Sequence, residues 1–144
     1  MPAMGFREWI AAGRAIADGQ LVRYGEKAHF TDAFERDLCA FTGAKHALTV
    51  TSGTGALMAA LAAAGIGPGD EVLVPAYTWM ATPAAPVMVG AVPILVDINE
   101  TLTIDPEDIE RKITPYTRAI MPVHMGNAPC DMDAIMAIAK KHGL

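Results

Sequence analysis

The sequence predicts an α/β protein, a mostly parallel sheet with helices on both faces. Three observations carry that prediction. From residue 46 onward, short apolar runs alternate with helical patterns four times. The runs are continuously apolar rather than alternating with polar residues, as in strands buried on both faces. Helix-start and helix-stop residues fall between the runs, where crossover helices need them.

The elements follow in order. Residues 6–18 read as a helix, because Phe6, Trp9, Ile10 and Gly13 share one face at i, i+3, i+4 and i+7. "QLVRYGEKAHF" reads as loop or extended chain. Thr31 is placed to cap a second helix with Glu35 behind it, Phe34, Leu38 and Phe41 as its apolar stripe and Gly43 at its end. Residues 46–51 are expected as the first strand and 54–64 as a helix stopped by Gly65, followed by the turn "GPGD". A second strand is expected over 71–74. Near Thr82 a helix is expected to start, with Pro83 at its favoured first position; Pro86 is awkward there because it removes a helix hydrogen bond. Residues 92–96 and 118–123 complete the strands, with Asp105-Pro106-Glu107 a helix start between them. Asp131 caps a last helix carrying Met132, Ile135, Met136 and Ala139 on one face and Gly143 after it.

At 144 residues the chain is one domain or part of a larger one. It divides into an N-terminal helix and loop segment, 1–30, and a sheet-bearing part, 31–144. It is 52% hydrophobic and 19% charged, which is apolar for an ordinary globular domain and suggests a buried sheet or a surface meant for a partner. The net charge of −5 with no Lys/Arg cluster argues against nucleic acid. Residues 72–96 are uncharged and long enough to suggest a membrane span, but Pro75, Pro83, Pro86 and Pro93 cut them into strand, helix and strand. Arg7 and Glu8 stand where a secretion signal needs apolar residues, so a cytoplasmic protein is expected. Cys39 and Cys130 make no disulfide framework and read as buried thiols in a reducing compartment.

The chemistry concentrates at "TVTSGTGAL". Here an apolar strand pattern runs through Ser52, Gly53, Thr54 and Gly55 straight into a helix pattern. In a parallel α/β sheet ligands sit at the carboxyl ends of strands. A helix N-terminus there offers unpaired N–H groups and a partial positive charge, a site for phosphate above all; the alternative is a plain Ser or Thr cap. The letters exclude the named nucleotide and esterase motifs. Met58 spoils a dinucleotide fingerprint, no lysine lies between Lys45 and Lys112 for a P-loop, and Val50 replaces the first glycine of a nucleophile elbow. Trp79 in "VPAYTWMAT" follows the next strand, where an indole can stack on a flat ring or pack under a helix. His124 ends a later strand and could face a ligand; with Cys130 it lacks the second ligand pair of a zinc site, so no metal is expected.

"FERDLCAFTGAKHALTVTSGTGAL", "GIGPGDEVLVPAYTWMAT", "GAVPILVDIN" and "MPVHMGNAPCDMDAIMAIAKKHGL" together resemble the first part of the DegT/DnrJ/EryC1/StrS family, over about residue 21 to the end. These are sugar aminotransferases that use pyridoxal 5′-phosphate (PLP). The resemblance implies that 31–144 is the first part of the large domain of an aspartate-aminotransferase-like, fold type I enzyme. It implies that Gly53, Thr54 and Gly55 hold the cofactor phosphate and that Trp79 stacks on its ring. It further implies an amino-acid donor, glutamate or glutamine, a nucleotide-linked keto-sugar acceptor, and a homodimer when full length.

The family's Schiff-base lysine and the acid that faces the ring nitrogen have no match here. Lys27, Lys45, Lys112, Lys140 and Lys141 all fall elsewhere in the pattern, so no catalytic residue is assigned. A last helix leading to no strand suggests truncation. The chain is therefore expected to be inactive alone. The alternatives are a sugar dehydratase of the same family, in which histidine replaces the lysine, and a non-catalytic domain that binds a phosphorylated ligand.

Overall fold

A computed structural model describes residues 4–19 and 29–144; the loop expected over 20–28 lies outside the described residues. The chain divides into two compact units, Met1–Thr49 and Val50–Leu144.

The first unit holds α1 (Phe6–Ala17) and α2 (His29–Thr42). Glu8 starts α1 by reaching back to accept the Gly5 N–H at 2.7 Å. The rings of Phe6 and Trp9 stack at 5.7 Å on its surface. The structure begins α2 at His29, so Thr31 lies inside its first turn and does not cap it. Gly43 ends α2 with φ +75, a conformation that suits glycine. Residues 46–51 form no strand, contrary to the sequence expectation. A β-branched run becomes a strand only when a neighbour's backbone pairs with it. Here the N–H and hydroxyl of Thr49 both donate to Glu35 Oε1 at 2.7 Å, so the side chain of α2 takes a donor that a ladder would use.

The second unit contains α3 (Gly53–Ala63), β1 (Glu71–Pro75), α4 (Ala81–Met88), β2 (Val92–Val96), α5 (Pro106–Lys112), β3 (Thr117–Ile120) and α6 (Met132–His142). Its three strands lie in the order β2-β1-β3, all parallel. The register pairs Glu71 with Val92 and Pro75 with Val96 on one side, and Leu73 with Ile120 on the other. β1 is central, and its residues from Val72 to Pro75 are buried. Alternation sends Val72 and Val74 into a core with Leu61, Ile66, Ala85 and Ala91 beneath α3 and α4. Leu73 goes to the opposite core with Val96, Ile104, Ile109, Cys130 and Ile135 beneath α5 and α6. Helices therefore cover both faces, as the apolar runs predict. The uncharged stretch 72–96 is strand, helix and strand, and among the described residues no helix is long and apolar enough to cross a membrane.

The caps expected at Asp105 and Asp131 are present, and Ser52 is a cap as the alternative reading of its junction had it. Ser52 accepts from the Gly55 N–H, Asp105 from Glu107 and Asp131 from Ala134, each at 3.0 Å. Gly143 closes α6 in the left-handed region. The start of α4 differs from expectation. It begins at Ala81, with Pro83 at its third position and Pro86 within it. The first-turn N–H groups of a helix have no intrahelical acceptor, so Pro83 is tolerated at the third position as at the first.

Two further constraints tie this unit together. Asp108, 4% exposed, accepts the Asp97 N–H at 2.8 Å and the Arg111 Nε–H at 3.1 Å. The Asp97 N–H holds the Asp108 carboxyl below its usual range against the opposing effect of burial, with Arg111 assisting. Gly90 has φ +86 between α4 and β2, and a Cβ there would lie 2.9 Å from Pro68 Cγ.

Gly90→Ala is expected to destabilise the chain by about 2 kcal/mol, through a left-handed backbone and the Pro68 clash. The shift of its urea midpoint checks this. Because the folded pKa of Asp108 is depressed, its contribution is present above the unfolded value of about 3.9 and is lost as pH falls through the lower folded value. Urea unfolding of wild type and Asp108→Asn across the acid range tests the sign. The variant is expected to lose less stability on acidification below about pH 4 than wild type does.

Candidate functional site

The site is built at the carboxyl edge of the sheet. The chain leaves β1, passes through α4 to β2 on one side, then crosses through α5 to β3 on the other side. Such a switch in direction opens a crevice at the strand ends. The segment 76–80 leaves β1 there, with the Ala76 N–H continuing the ladder to Val96 O at 2.8 Å.

The N-terminus of α3 supplies the donors. Ser52 is extended, with φ −161 and ψ 160, and its Oγ takes the Gly55 N–H. The Ala56 N–H donates to Ser52 O at 3.0 Å. The N–H groups of Gly53 and Thr54, first and second in the helix, have no acceptor within it. No acidic residue stands in the first turn of α3, so the positive end of its dipole is unopposed from its own helix. A Cβ on Gly53 would meet nothing within 4 Å, so open space lies over this backbone. A Cβ on Gly55 would lie 3.3 Å from Ser52 Oγ, so Gly55 makes room for the cap.

A cavity of about 430 Å³ is lined by Gly53, Thr54, Leu57, Trp79, Ala81 and Thr82. Of the residues singled out from the sequence, Gly53, Thr54 and Trp79 come together here. Gly55 does not line the cavity, and its N–H is used by Ser52. Leu57, Ala81 and Thr82 were not foreseen. Thr82 carries a hydroxyl one helical turn after Thr78 beside a tryptophan, a spacing that could have marked it. Trp79 is 80% exposed, so its indole is a free surface and not a core residue beneath a helix. The donor set suits an anion attached to a flat ring. It offers two backbone N–H groups, the Thr54 hydroxyl and an indole face, and among the described residues no acidic side chain lines the cavity.

The remaining candidates lie elsewhere. His124 Nδ1 accepts the Cys130 N–H at 3.0 Å, and the Cys130 thiol donates to Val123 O at 3.1 Å. His124 is not among the residues lining the cavity. Lys141 and His142 pair with Glu110 of α5, and Lys141 first, then His142, hold that carboxyl below its usual range. Both cysteines are free thiols, Cys130 buried and Cys39 partly so. Among the described residues no three metal-ligating side chains cluster. In the first unit, a second cavity of about 570 Å³ is lined by Asp32, Glu35, Arg36, Cys39, Lys45, His46 and Ala47.

A parallel sheet covered on both faces, with a helix N-terminus and an exposed indole lining one cavity, defines an α/β domain with an open crevice at the carboxyl edge of its sheet. Residues 7–144 match the sequence model of the DegT/DnrJ/EryC1/StrS aminotransferase family. The chain belongs to that family. It is 44% identical to the spore coat polysaccharide biosynthesis protein SpsC of Bacillus subtilis (strain 168), over 100% of this chain and 36% of that protein. A crystal structure of 3-amino-5-hydroxybenzoic acid synthase superposes with a TM-score of 0.91 at 41% identity, over 99% of this chain and 37% of that one. NtdA from Bacillus subtilis, solved with bound cofactor PMP, superposes at 0.87 with 38% identity, over 94% of this chain and 31% of that one. The fold is thus part of the large domain of the fold type I PLP enzymes, and the chain spans about a third of the length of these relatives.

Ser52→Ala is expected to cost about 1 kcal/mol of stability by freeing the Gly55 N–H. Thermal melting followed by far-UV circular dichroism checks it. A midpoint equal to wild type would remove Ser52 from the account of this junction.

Proposed function

We propose that this chain is the cofactor-cradling part of a PLP-dependent aminotransferase that moves an amino group from an amino acid, glutamate or glutamine, to a nucleotide-linked keto-sugar. The observation that carries the reading is the shared cavity of Gly53, Thr54 and Trp79. Family membership and the PMP bound by NtdA support the cofactor. In this reading the Gly53 and Thr54 N–H groups and the Thr54 hydroxyl hold the phosphate, with Gly55 supporting them through the Ser52 cap. Trp79 lies against the ring and fixes its plane. When bound, the cofactor supplies the electron sink that lets an amino group pass between carbons.

Among the described residues no lysine lines the cavity. These 144 residues are therefore not expected to transaminate by themselves. Residues 31–144 belong, in this reading, to the large domain of a longer, homodimeric, cytoplasmic enzyme. The half-exposed, uncharged α3 and the exposed Val87 and Met88 of α4 are consistent with surfaces that such a protein covers. The similarity to SpsC, a spore coat polysaccharide biosynthesis protein, supports a sugar acceptor.

Titration of the chain with pyridoxamine 5′-phosphate is expected to show saturable binding, weakened about tenfold in Trp79→Ala by loss of the stacking surface. Equal affinity in the variant would overturn the stacking role. Borohydride reduction in the presence of PLP, followed by peptide mapping, is expected to give no unique stoichiometric pyridoxyl-lysine; one that forms with turnover would overturn the inactivity of the chain.

A further inference from the structure

The segment that presents Trp79 carries a constraint that the cofactor reading does not use. Trp79 is exposed, yet the chain on either side of it is tied down. Before it, Ala76 is hydrogen-bonded into the sheet. After it, Thr82 is 5% exposed at the start of α4. The Thr78 and Thr82 hydroxyls lie 2.9 Å apart, so one donates to the other across the turn that contains Trp79. The backbone adds a second tie: the Thr82 N–H donates to Trp79 O at 2.9 Å. Thr82 thus holds the Trp79 carbonyl through its backbone and Thr78 through its side chain. It also lines the same cavity as the indole.

We propose that Thr82 is a positioning residue, whose hydroxyl bond to Thr78 clasps the 78–82 turn and sets the direction of the Trp79 indole over the α3 N-terminus. Its value for cofactor binding rests on the reading above; the clasp itself does not. Two outward-pointing donors and an indole face make a binding surface only if their relative orientation is held before the ligand arrives. A freely turning indole would lose that freedom on binding and weaken the complex. Either hydroxyl can be the donor, so a valine at either position removes the bond with little change in shape.

The test places Trp79 as the sole tryptophan by Trp9→Phe, then compares Thr82→Val, Thr78→Val and Thr82→Ser in the full chain. The first readout is time-resolved fluorescence anisotropy without ligand. Both valine variants are expected to raise the amplitude of subnanosecond depolarisation of Trp79, and Thr82→Ser to restore it. Their melting by circular dichroism separates this from unfolding, and Thr78→Val serves if Thr82→Val does not fold. The second readout is quenching of Trp79 by pyridoxamine 5′-phosphate, whose affinity is expected to fall about fivefold in either valine variant, the factor one net hydrogen bond is worth. Unchanged anisotropy in folded valine variants would overturn the clasp. Greater Trp79 motion in the variants, with no quenching even in the parent, would support the clasp and overturn the cofactor reading instead.

Discussion

Burial of β1 on both faces is the constraint on which the second unit depends. Val72 and Val74 point to one core and Leu73 to the other. Each such side chain contributes on the order of 2 kcal/mol when fully buried, and the contribution exists only while helices cover both faces. With helices on either face and a strand on either edge, β1 is left in the centre, and its carboxyl end opens at the crevice between the crossovers. The position of the site is thus a consequence of how the central strand is buried.

The site divides its labour between two element ends. The N-terminus of α3 supplies N–H groups that the helix cannot satisfy, and Ser52 consumes one of them in starting the helix. The turn after β1 supplies the indole. Leu57, Ala81 and Thr82 form the rest of the lining. Glycine plays two parts within three residues. Open space at Gly53 leaves room for a ligand, whereas Gly55 leaves room for a serine hydroxyl. Proline also acts locally, because Pro83 stands in the first turn of α4, where a helix needs no N–H.

Much of the fold was legible in the sequence. The alternation of apolar runs with helical patterns gave the parallel sheet and its two helical layers. Asp105 and Asp131 read as caps, and Ser or Thr at residues 52–54 as a possible one, because capping is a contact within three residues. The family was legible because several spaced motifs agree in order, and the match over 7–144 bears it out. The strand expected over 46–51 was not realised, and no local signal could have shown that Thr49 would turn to Glu35. The cap assigned to Thr31 was wrong for a related reason: α2 begins earlier, at His29, where no strong start signal stands.

By itself the sequence determined which segments are helical or extended from residue 53 onward, which residues cap them, and which family the chain belongs to. These properties rest on periodicity, short-range hydrogen bonds and motif order, all carried by neighbouring residues. Only the tertiary structure decided that β1 is the central strand, that Gly53, Thr54 and Trp79 share one cavity while Gly55 turns to the cap, and that Thr82 joins them. Strand order and a shared cavity depend on contacts between residues far apart in the chain. They are settled only when burial on both faces of the sheet selects one arrangement of the crossovers.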